Sequence, residues 1–289
     1  MLSALLKTMR LRQWIKNAFI FFALIFDKQL FTLAPFLRTL AGFFLFCLIS
    51  SAVYLLNDIA DIEADRQHPE KKYRPLASGA LPVSLALGAA IILALTALLL
   101  GYWMTPAFAG ILAIYLILNV LYSIWLKHVP ILDVLIVSSG FVLRVAAGVA
   151  LITVERFSPW LYVITTLFSL YIGLGKRRAE MNLLAEGAAA HRKVLDGYTI
   201  PLLDQYITIV SGMTIITYSL YTFSAPNLPV NHSMMLTIPF VVYGIFRYLQ
   251  LIQTGHAAGA PDEVALKDRP LQITVLLWGL AVIAVFYLS

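Results

Sequence analysis

The stretch Phe36-Leu-Arg-Thr-Leu-Ala-Gly-Phe-Phe-Leu-Phe-Cys-Leu-Ile-Ser-Ser-Ala-Val-Tyr-Leu-Leu56 runs directly into Asn57-Asp-Ile-Ala-Asp-Ile-Glu-Ala-Asp65. The first part is apolar over about the 20 residues that a helix needs to cross a ~30 Å hydrocarbon core. The second part places three carboxylates where that helix leaves the membrane. On one helix Asp58, Asp61 and Asp65 fall at i, i+3 and i+7 and share a face, while Glu63 points away. Carboxylates crowded on one face repel one another, so the pattern calls for cations. Hard oxygen donors suit Mg²⁺, with Mn²⁺ as the alternative, a metal that keeps several waters and is completed by phosphate oxygens. The other reading of the stretch is a solvated, charged helix end.

The rest of the chain repeats the apolar signal. Of 289 residues, 61% are hydrophobic and 12% charged, and the mean hydropathy is +0.85. A soluble domain carries about 25% charged residues, so the surplus apolar surface belongs in lipid. The same ruler marks about nine spans, at 17–33, 36–56, 83–103, 107–126, 131–152, 158–174, 203–223, 234–252 and 270–288. These predict an all-α, polytopic membrane bundle, one domain over 1–289. Lys7, Arg10, Arg12 and Lys16 before the apolar run 18–26 imitate a signal peptide. No small-residue cleavage site follows, and Asp27-Lys28 closes the run, so it reads as a retained first span. The single cysteine, Cys47, lies in an apolar run and leaves neither a disulfide framework nor a Cys-based metal site.

Loops between spans alternate between two faces. The face of the N-terminus collects Lys7, Arg10, Arg12, Lys16, Arg66, Lys71, Lys72, Arg74, Lys127, Lys176, Arg177, Arg178, Arg192, Lys193, Lys267 and Arg269; the other has Lys28, Arg38 and Arg156. That asymmetry puts the first face in the cytoplasm, under the inner (plasma) membrane. The acids follow the same bias, from Asp58 and Asp133 to Glu180, Glu186, Asp204, Asp262, Glu263 and Asp268, with Asp27 and Glu155 opposite. A topology signal requires no acids, so dense charge of both signs points to a polar, metal-dependent site. The net charge is +6, but the bases sit between spans and form no single stripe, which argues against nucleic acid as a partner. Oligomeric state stays open, a homo-oligomer included.

Arg66-Gln-His-Pro-Glu-Lys-Lys-Tyr-Arg-Pro-Leu-Ala-Ser-Gly79 makes turns through its Pro and Gly. It puts Lys71, Lys72 and Arg74 within reach of an anion held by the carboxylates' metal. His68 has no second His at ligand spacing and reads as a turn residue. Arg144 lies in the fifth span, roughly 16 Å beyond Asp133 at ~1.5 Å per residue. Such a charge faces the bundle interior, either on a phosphate or in structural pairing. The small residues around it, among them Ser138, Gly140 and Gly148, suit close helix packing, and Tyr122 and Trp125 suit an interfacial belt. No Walker loop, dinucleotide-binding Gly pattern, CxxC or HExxH is present.

Asn57-Asp58-x-x-Asp61-x-x-x-Asp65 at a membrane surface resembles the first Asp-rich motif of the UbiA prenyltransferase superfamily, and the likeness covers nearly the whole chain. The resemblance implies a nine-helix bundle around a cavity that opens to the cytoplasm. Within the superfamily, five segments taken as a set resemble the decaprenyl-phosphate phosphoribosyltransferases: Gln13-Trp-Ile-Lys-Asn17, His68-Pro-x-Lys-x-x-Arg-Pro75, Tyr122-Ser-x-x-Leu-Lys127, Gly175-Lys-Arg-Arg-Ala-Glu180 and Asp268-Arg-Pro-Leu271. Other members carry a second Asp-rich motif after the sixth span, so that two carboxylate clusters grip a prenyl diphosphate through Mg²⁺. Here that position holds Lys176-Arg177-Arg178-Ala-Glu180. These cations either bind phosphate directly or mark topology at a helix end.

One acidic and one basic site suit two phosphorylated substrates, and the resemblance implies phosphoribosyl diphosphate as donor and polyprenyl phosphate as acceptor. Asp58, Asp61 and Asp65 are the expected metal ligands and catalytic residues. Asn57, Lys16, Lys71, Arg74, Tyr122, Lys127, Arg144, Lys176, Arg177 and Arg178 are the expected substrate contacts. A phosphomonoester, with its second pKa near ~6, attacks without a general base. Transfer to an aromatic carbon must lose a ring proton, and no Ser/His/Asp set or buried Glu/His pair stands out to take it. Two rivals remain: a UbiA-type prenyltransferase with an aromatic or other small acceptor, and a transporter of phosphorylated solutes or lipids. Broken spans in matching halves favour a transporter, and the sequence shows no clear internal repeat.

Overall fold

The computed structural model describes residues 1–153, 159–185, 193–225, 228–254 and 268–288. Glu155, Arg156, Glu186, Arg192, Asp262, Glu263 and Lys267, counted above among the loop charges, lie outside the described residues. Within them every regular element is helical: α1 (Leu2–Thr8), a 3₁₀ segment (Leu11–Phe21), α2 (Phe22–Phe26), α3 (Leu33–Ala60), α4 (Ile62–Gln67), α5 (Val83–Met104), α6 (Pro106–Ile124), α7 (Leu132–Leu151), α8 (Pro159–Ala185), α9 (Ile200–Ser224), α10 (Ile238–Gln253) and α11 (Arg269–Leu288). Seven are long and apolar enough to span a bilayer: α3, α5, α6, α7, α9, α11 and the run Ser233–Gln253 that contains α10. The all-α membrane bundle is therefore the architecture, with two of the expected spans altered.

The first alteration is at 17–33, where one helix was expected. The chain instead runs as the 3₁₀ segment and then the short α2. Gly148 of α7 explains the close fit: a Cβ there would lie 2.0 Å from the Ile20 carbonyl oxygen, so backbone meets backbone. Asn17 is buried on the same segment and donates to Cys47 Sγ (3.2 Å) and Ser50 Oγ (3.2 Å) of α3. At ~2 Å rise per residue the 3₁₀ segment covers roughly 22 Å, so it reaches far into a ~30 Å core with few residues. The second alteration is α8, which runs beyond the expected 158–174 to Ala185. Lys176-Arg177-Arg178-Ala-Glu-Met-Asn-Leu-Leu-Ala185 is rich in strong helix formers and contains no Gly or Pro. The basic triplet therefore stands inside a helix, not beyond its end.

Helix packing is inverted relative to a soluble protein. On α5, Ala86, Ala90, Ala94, Ala97 and Gly101 are buried, while Leu85, Leu87, Ile91, Ile92, Leu95 and Leu99 are exposed. Small residues let helices approach and large apolar ones meet lipid. Contacts divide the chain into two compact units, Met1–Leu24 with Gln29–Glu155, and Ile25–Lys28 with Arg156–Ser289. In the first unit Ala52 and Leu55 of α3 and Ala86 and Ala90 of α5 share a core with Leu81 of the loop between them, and Phe46, Phe108, Leu112, Ala147 and Leu151 form a second core. In the second unit Tyr218, Tyr221, Met234, Val282 and Phe286 pack together, and Trp278 Nε1 donates to Tyr218 Oη at 2.8 Å.

Candidate functional site

The Asp-rich stretch lies where α3 ends, but not on one continuous helix. Asp61 sits between α3 and α4 with φ −99° and ψ 6°, in the sparsely populated bridge region. A helix C-terminus repels carboxylates and an N-terminus attracts them. Ending α3 at Ala60 turns Asp65 from an acid at the end of a long helix into an acid in the first turn of a new one. Helical hydrogen bonds cross the break, Asp61 N–H to Asn57 C=O at 3.0 Å and Asp65 N–H to Asp61 C=O at 2.8 Å, so the three aspartates stay close. Glu63 points out, as its spacing predicted, and meets Arg66 at 2.7 Å.

Each aspartate has a cation. Asp58 Oδ1 accepts from Arg10 Nη2 at 2.5 Å and from Arg74 Nη1 at 3.2 Å, and the same Arg74 nitrogen donates to Asp65 Oδ2 at 2.8 Å. Lys127 Nζ pairs with Asp61 Oδ1, while Asn57 Nδ2 donates to Asp61 Oδ2 at 3.2 Å. Asn57 is itself oriented, its Oδ1 accepting from Ser123 Oγ at 3.0 Å. The left-handed backbone of Arg10, φ 54° and ψ 53°, costs a non-glycine residue roughly 1 kcal/mol or more and is held by these contacts. Its guanidinium lies over the Tyr54 ring at 4.8 Å.

Among the described residues no three His, Cys, Asp or Glu side chains converge as a ready metal cage. Mg²⁺ seldom uses one; it takes one or two carboxylates and completes its shell with water and substrate phosphate. Asp58 and Asp65, both touching one guanidinium nitrogen, are such a pair. Both guanidinium contacts of Asp58 fall on Oδ1, so neither takes Oδ2. The donor set is all oxygen and fits the metal.

The other expected contacts divide. Lys16 is half-buried on the 3₁₀ segment, Lys71 is exposed on the loop after α4, and Tyr122 is half-buried on α6 next to Ser123. Arg144 is buried and joins none of the aspartate bonds: Nε donates to Asn17 Oδ1 at 2.7 Å and Nη2 to Tyr115 Oη at 3.0 Å, with Phe46, Tyr115 and Phe141 rings around it. Of its two sequence readings, the pairing one describes these contacts. In the second unit Arg177 and Arg178 are buried on α8. Arg177 Nη1 meets Glu180 Oε2 at 2.6 Å, and Arg178 Nε meets Asp204 Oδ1 at 2.7 Å. Lys176 is half-buried beside them in sequence.

Sequence reasoning missed three partners. Arg10 was counted only as a topology charge; its place ahead of Gln13-Trp-Ile-Lys-Asn17 was the available signal. Ser123, inside a quoted segment, was overlooked as the residue that orients Asn57. Asp204 carried no signal, because only folding brings it to Arg178. His68 is the turn residue that its isolation suggested. Its Nδ1 accepts from the Glu70 and Lys71 N–H groups at 3.2 and 3.3 Å. Desolvation and then the nearby Lys71 hold its pKa below the ordinary value. Asp268 caps α11 by accepting from Leu271 N–H at 2.8 Å, and the Arg247 guanidinium holds its carboxyl below the usual carboxylate range.

Residues 18–266 match the UbiA prenyltransferase family. Over its whole length the chain is 36% identical to the decaprenyl-phosphate phosphoribosyltransferase of Mycolicibacterium smegmatis, covering 94% of that protein. It is 34% identical to the protein of the same name from Corynebacterium glutamicum, over 98% of this chain and 87% of that one. A UbiA homolog from Archaeoglobus fulgidus, bound to GPP and Mg²⁺, has a similar fold, with TM-score 0.73 and 17% identity over 98% of this chain and 99% of that one.

Proposed function

The chain belongs to the UbiA prenyltransferase family, and on that premise we propose that it transfers 5-phosphoribosyl from phosphoribosyl diphosphate to a polyprenyl phosphate and releases diphosphate. The observation that carries the reading is end-to-end likeness to decaprenyl-phosphate phosphoribosyltransferases. The arginines in place of a second acidic motif support it. The family match runs through both compact units, which supports treating 1–289 as one functional domain.

Asp58, Asp61 and Asp65, with Asn57, would hold Mg²⁺ or Mn²⁺ beside the donor's diphosphate. When bound, the metal supplies positive charge for the departing diphosphate. Arg74, Lys71 and Lys127 bind phosphate oxygens by charge-assisted hydrogen bonds. Lys176, Arg177 and Arg178 hold the acceptor phosphate, Lys16 and Tyr122 are further substrate contacts, and Arg144 supports the 3₁₀ segment that carries Lys16. An acceptor oxygen forms the bond to C1 while the C1–O bond to diphosphate breaks, its electron pair leaving with the diphosphate. The acceptor is a dianion, so no proton has to move. Attack opposite the leaving group inverts C1. The lipid tail stays in the bilayer, and the N-terminus and the charged loops face the cytoplasm of the inner membrane.

The test is purified protein with labelled phosphoribosyl diphosphate, Mg²⁺ and polyprenyl phosphate. Label should enter the lipid, excess EDTA should stop it, and a polyprenyl alcohol of equal length should be a poor acceptor. If prenyl diphosphate and an aromatic acceptor react while polyprenyl phosphate does not, the reading is wrong and the prenyltransferase rival replaces it.

A further inference from the structure

We infer that Arg10, with Arg74 and Lys127, is an internal stand-in for the metal: these cations hold the aspartates until metal and diphosphate arrive together, and then pass to the diphosphate. The inference rests on the donor reading above and adds to it a further ligand, Arg10, and an order of binding.

The argument is one of charge. Asp58, Asp61 and Asp65 face Arg10, Arg74 and Lys127, so the cluster is already neutral. A divalent metal arriving alone meets no net negative charge. To bind Asp58 and Asp65 fully it must displace two guanidinium groups and leave them without an anion to pair with. Diphosphate arriving alone meets the carboxylates. Arriving together, the metal takes the carboxylates and the phosphate oxygens take the released cations, so every charge keeps a partner. Metal and diphosphate therefore raise each other's affinity by the same factor.

Arg10 is built to move. Its side chain is partly exposed, whereas Asp58 is buried. It stands at the junction of α1 and the 3₁₀ segment, in a left-handed backbone conformation. The Tyr54 face beneath its guanidinium, 4.8 Å away, remains a partner when Asp58 lets go.

Mn²⁺ is the probe, titrated into the purified full-length chain in detergent and read as free ion by electron paramagnetic resonance. The titration is made first with no phosphate present and then with the preformed Mn²⁺–diphosphate complex. Arg10→Gln should bind Mn²⁺ alone about threefold to tenfold tighter, because a competing cation is gone. It should bind the diphosphate complex about tenfold more weakly. Arg10→Lys, which keeps the charge, should follow wild type in direction. Loss of fold weakens both titrations, so shifts of opposite sign are the signature. Both unchanged, or both weaker, overturns the inference. Should Arg10→Gln unfold, wild type alone decides: Mn²⁺ bound as tightly by itself as in the complex overturns it. Opposite shifts without phosphoribosyl transfer leave the exchange standing and sink the donor reading; transfer without the shifts does the reverse.

Discussion

The two charged clusters are mirror images in burial. In the first unit the carboxylates are inside: Asp58 and Asp65 are 3% and 6% exposed, and their partners Arg10 and Arg74 are 29% and 27% exposed. In the second unit the arginines are inside. Arg177 and Arg178 are 4% and 10% exposed, against 26% and 35% for Glu180 and Asp204. A buried charge cannot be left unpaired without a large cost, but its outer partner can be exchanged for another ion of the same sign. The buried member is thus an anion in the first cluster and a cation in the second. Lys127 and Asp61 depart from the pattern, the lysine being the less exposed of the two.

The strongest test of this contrast is the acidic side. Asp61→Asn should lower phosphoribosyl transfer at least about a hundredfold, because each ~1.4 kcal/mol of lost transition-state stabilisation is tenfold in rate. Asp61 is partly exposed, so circular dichroism should show the fold intact; a variant with near-normal turnover breaks the acidic half of the comparison. On the basic side Arg177→Lys keeps charge but loses the planar fork that matches phosphate. It should weaken acceptor binding about tenfold, seen as a raised KM for polyprenyl phosphate, and Arg177→Asp should nearly abolish it. Unchanged acceptor KM in both assigns Arg177 to helix pairing.

A smaller effect sharpens the mirror relation. Glu180→Gln removes one carboxylate that competes for Arg177, so inorganic phosphate should bind a few-fold tighter in calorimetry; weaker binding contradicts exchange at this site. The smallest effect is at His68, beside the acidic cluster. Its pKa is lowered, so the fold favours the neutral ring. The stability this contributes is present above the ordinary histidine value of ~6.5 and is lost as pH falls through the lowered value. Hydrogen exchange should show the Glu70 and Lys71 amides losing protection in that window, because a protonated Nδ1 no longer accepts. Protection that increases on acidification contradicts the sign.

Much of this was legible in one dimension, for a reason that differs by feature. Apolar runs such as 83–103 declare themselves because a helix is the one open-chain way to satisfy backbone hydrogen bonds in lipid. The segment 17–33 misled because its irregular path depends on Gly148 admitting the Ile20 carbonyl, a contact between segments far apart in sequence. Asp58, Asp61 and Asp65 were readable as a group because their spacing is local. The break at Asp61 was not readable, because nothing in the local residue pattern marks it.

The sequence by itself determined the all-α membrane architecture and the local grouping of the three aspartates, since each follows from residue type within one short window. Only the tertiary structure decided which cation meets which carboxylate. Arg10 reaches Asp58 across 48 positions and Lys127 reaches Asp61 across 66, and a sequence of loop charges holds no such distances. It also decided which partner of each pair is buried. Burial is set by all the neighbouring helices together, and no single stretch of the chain carries that information.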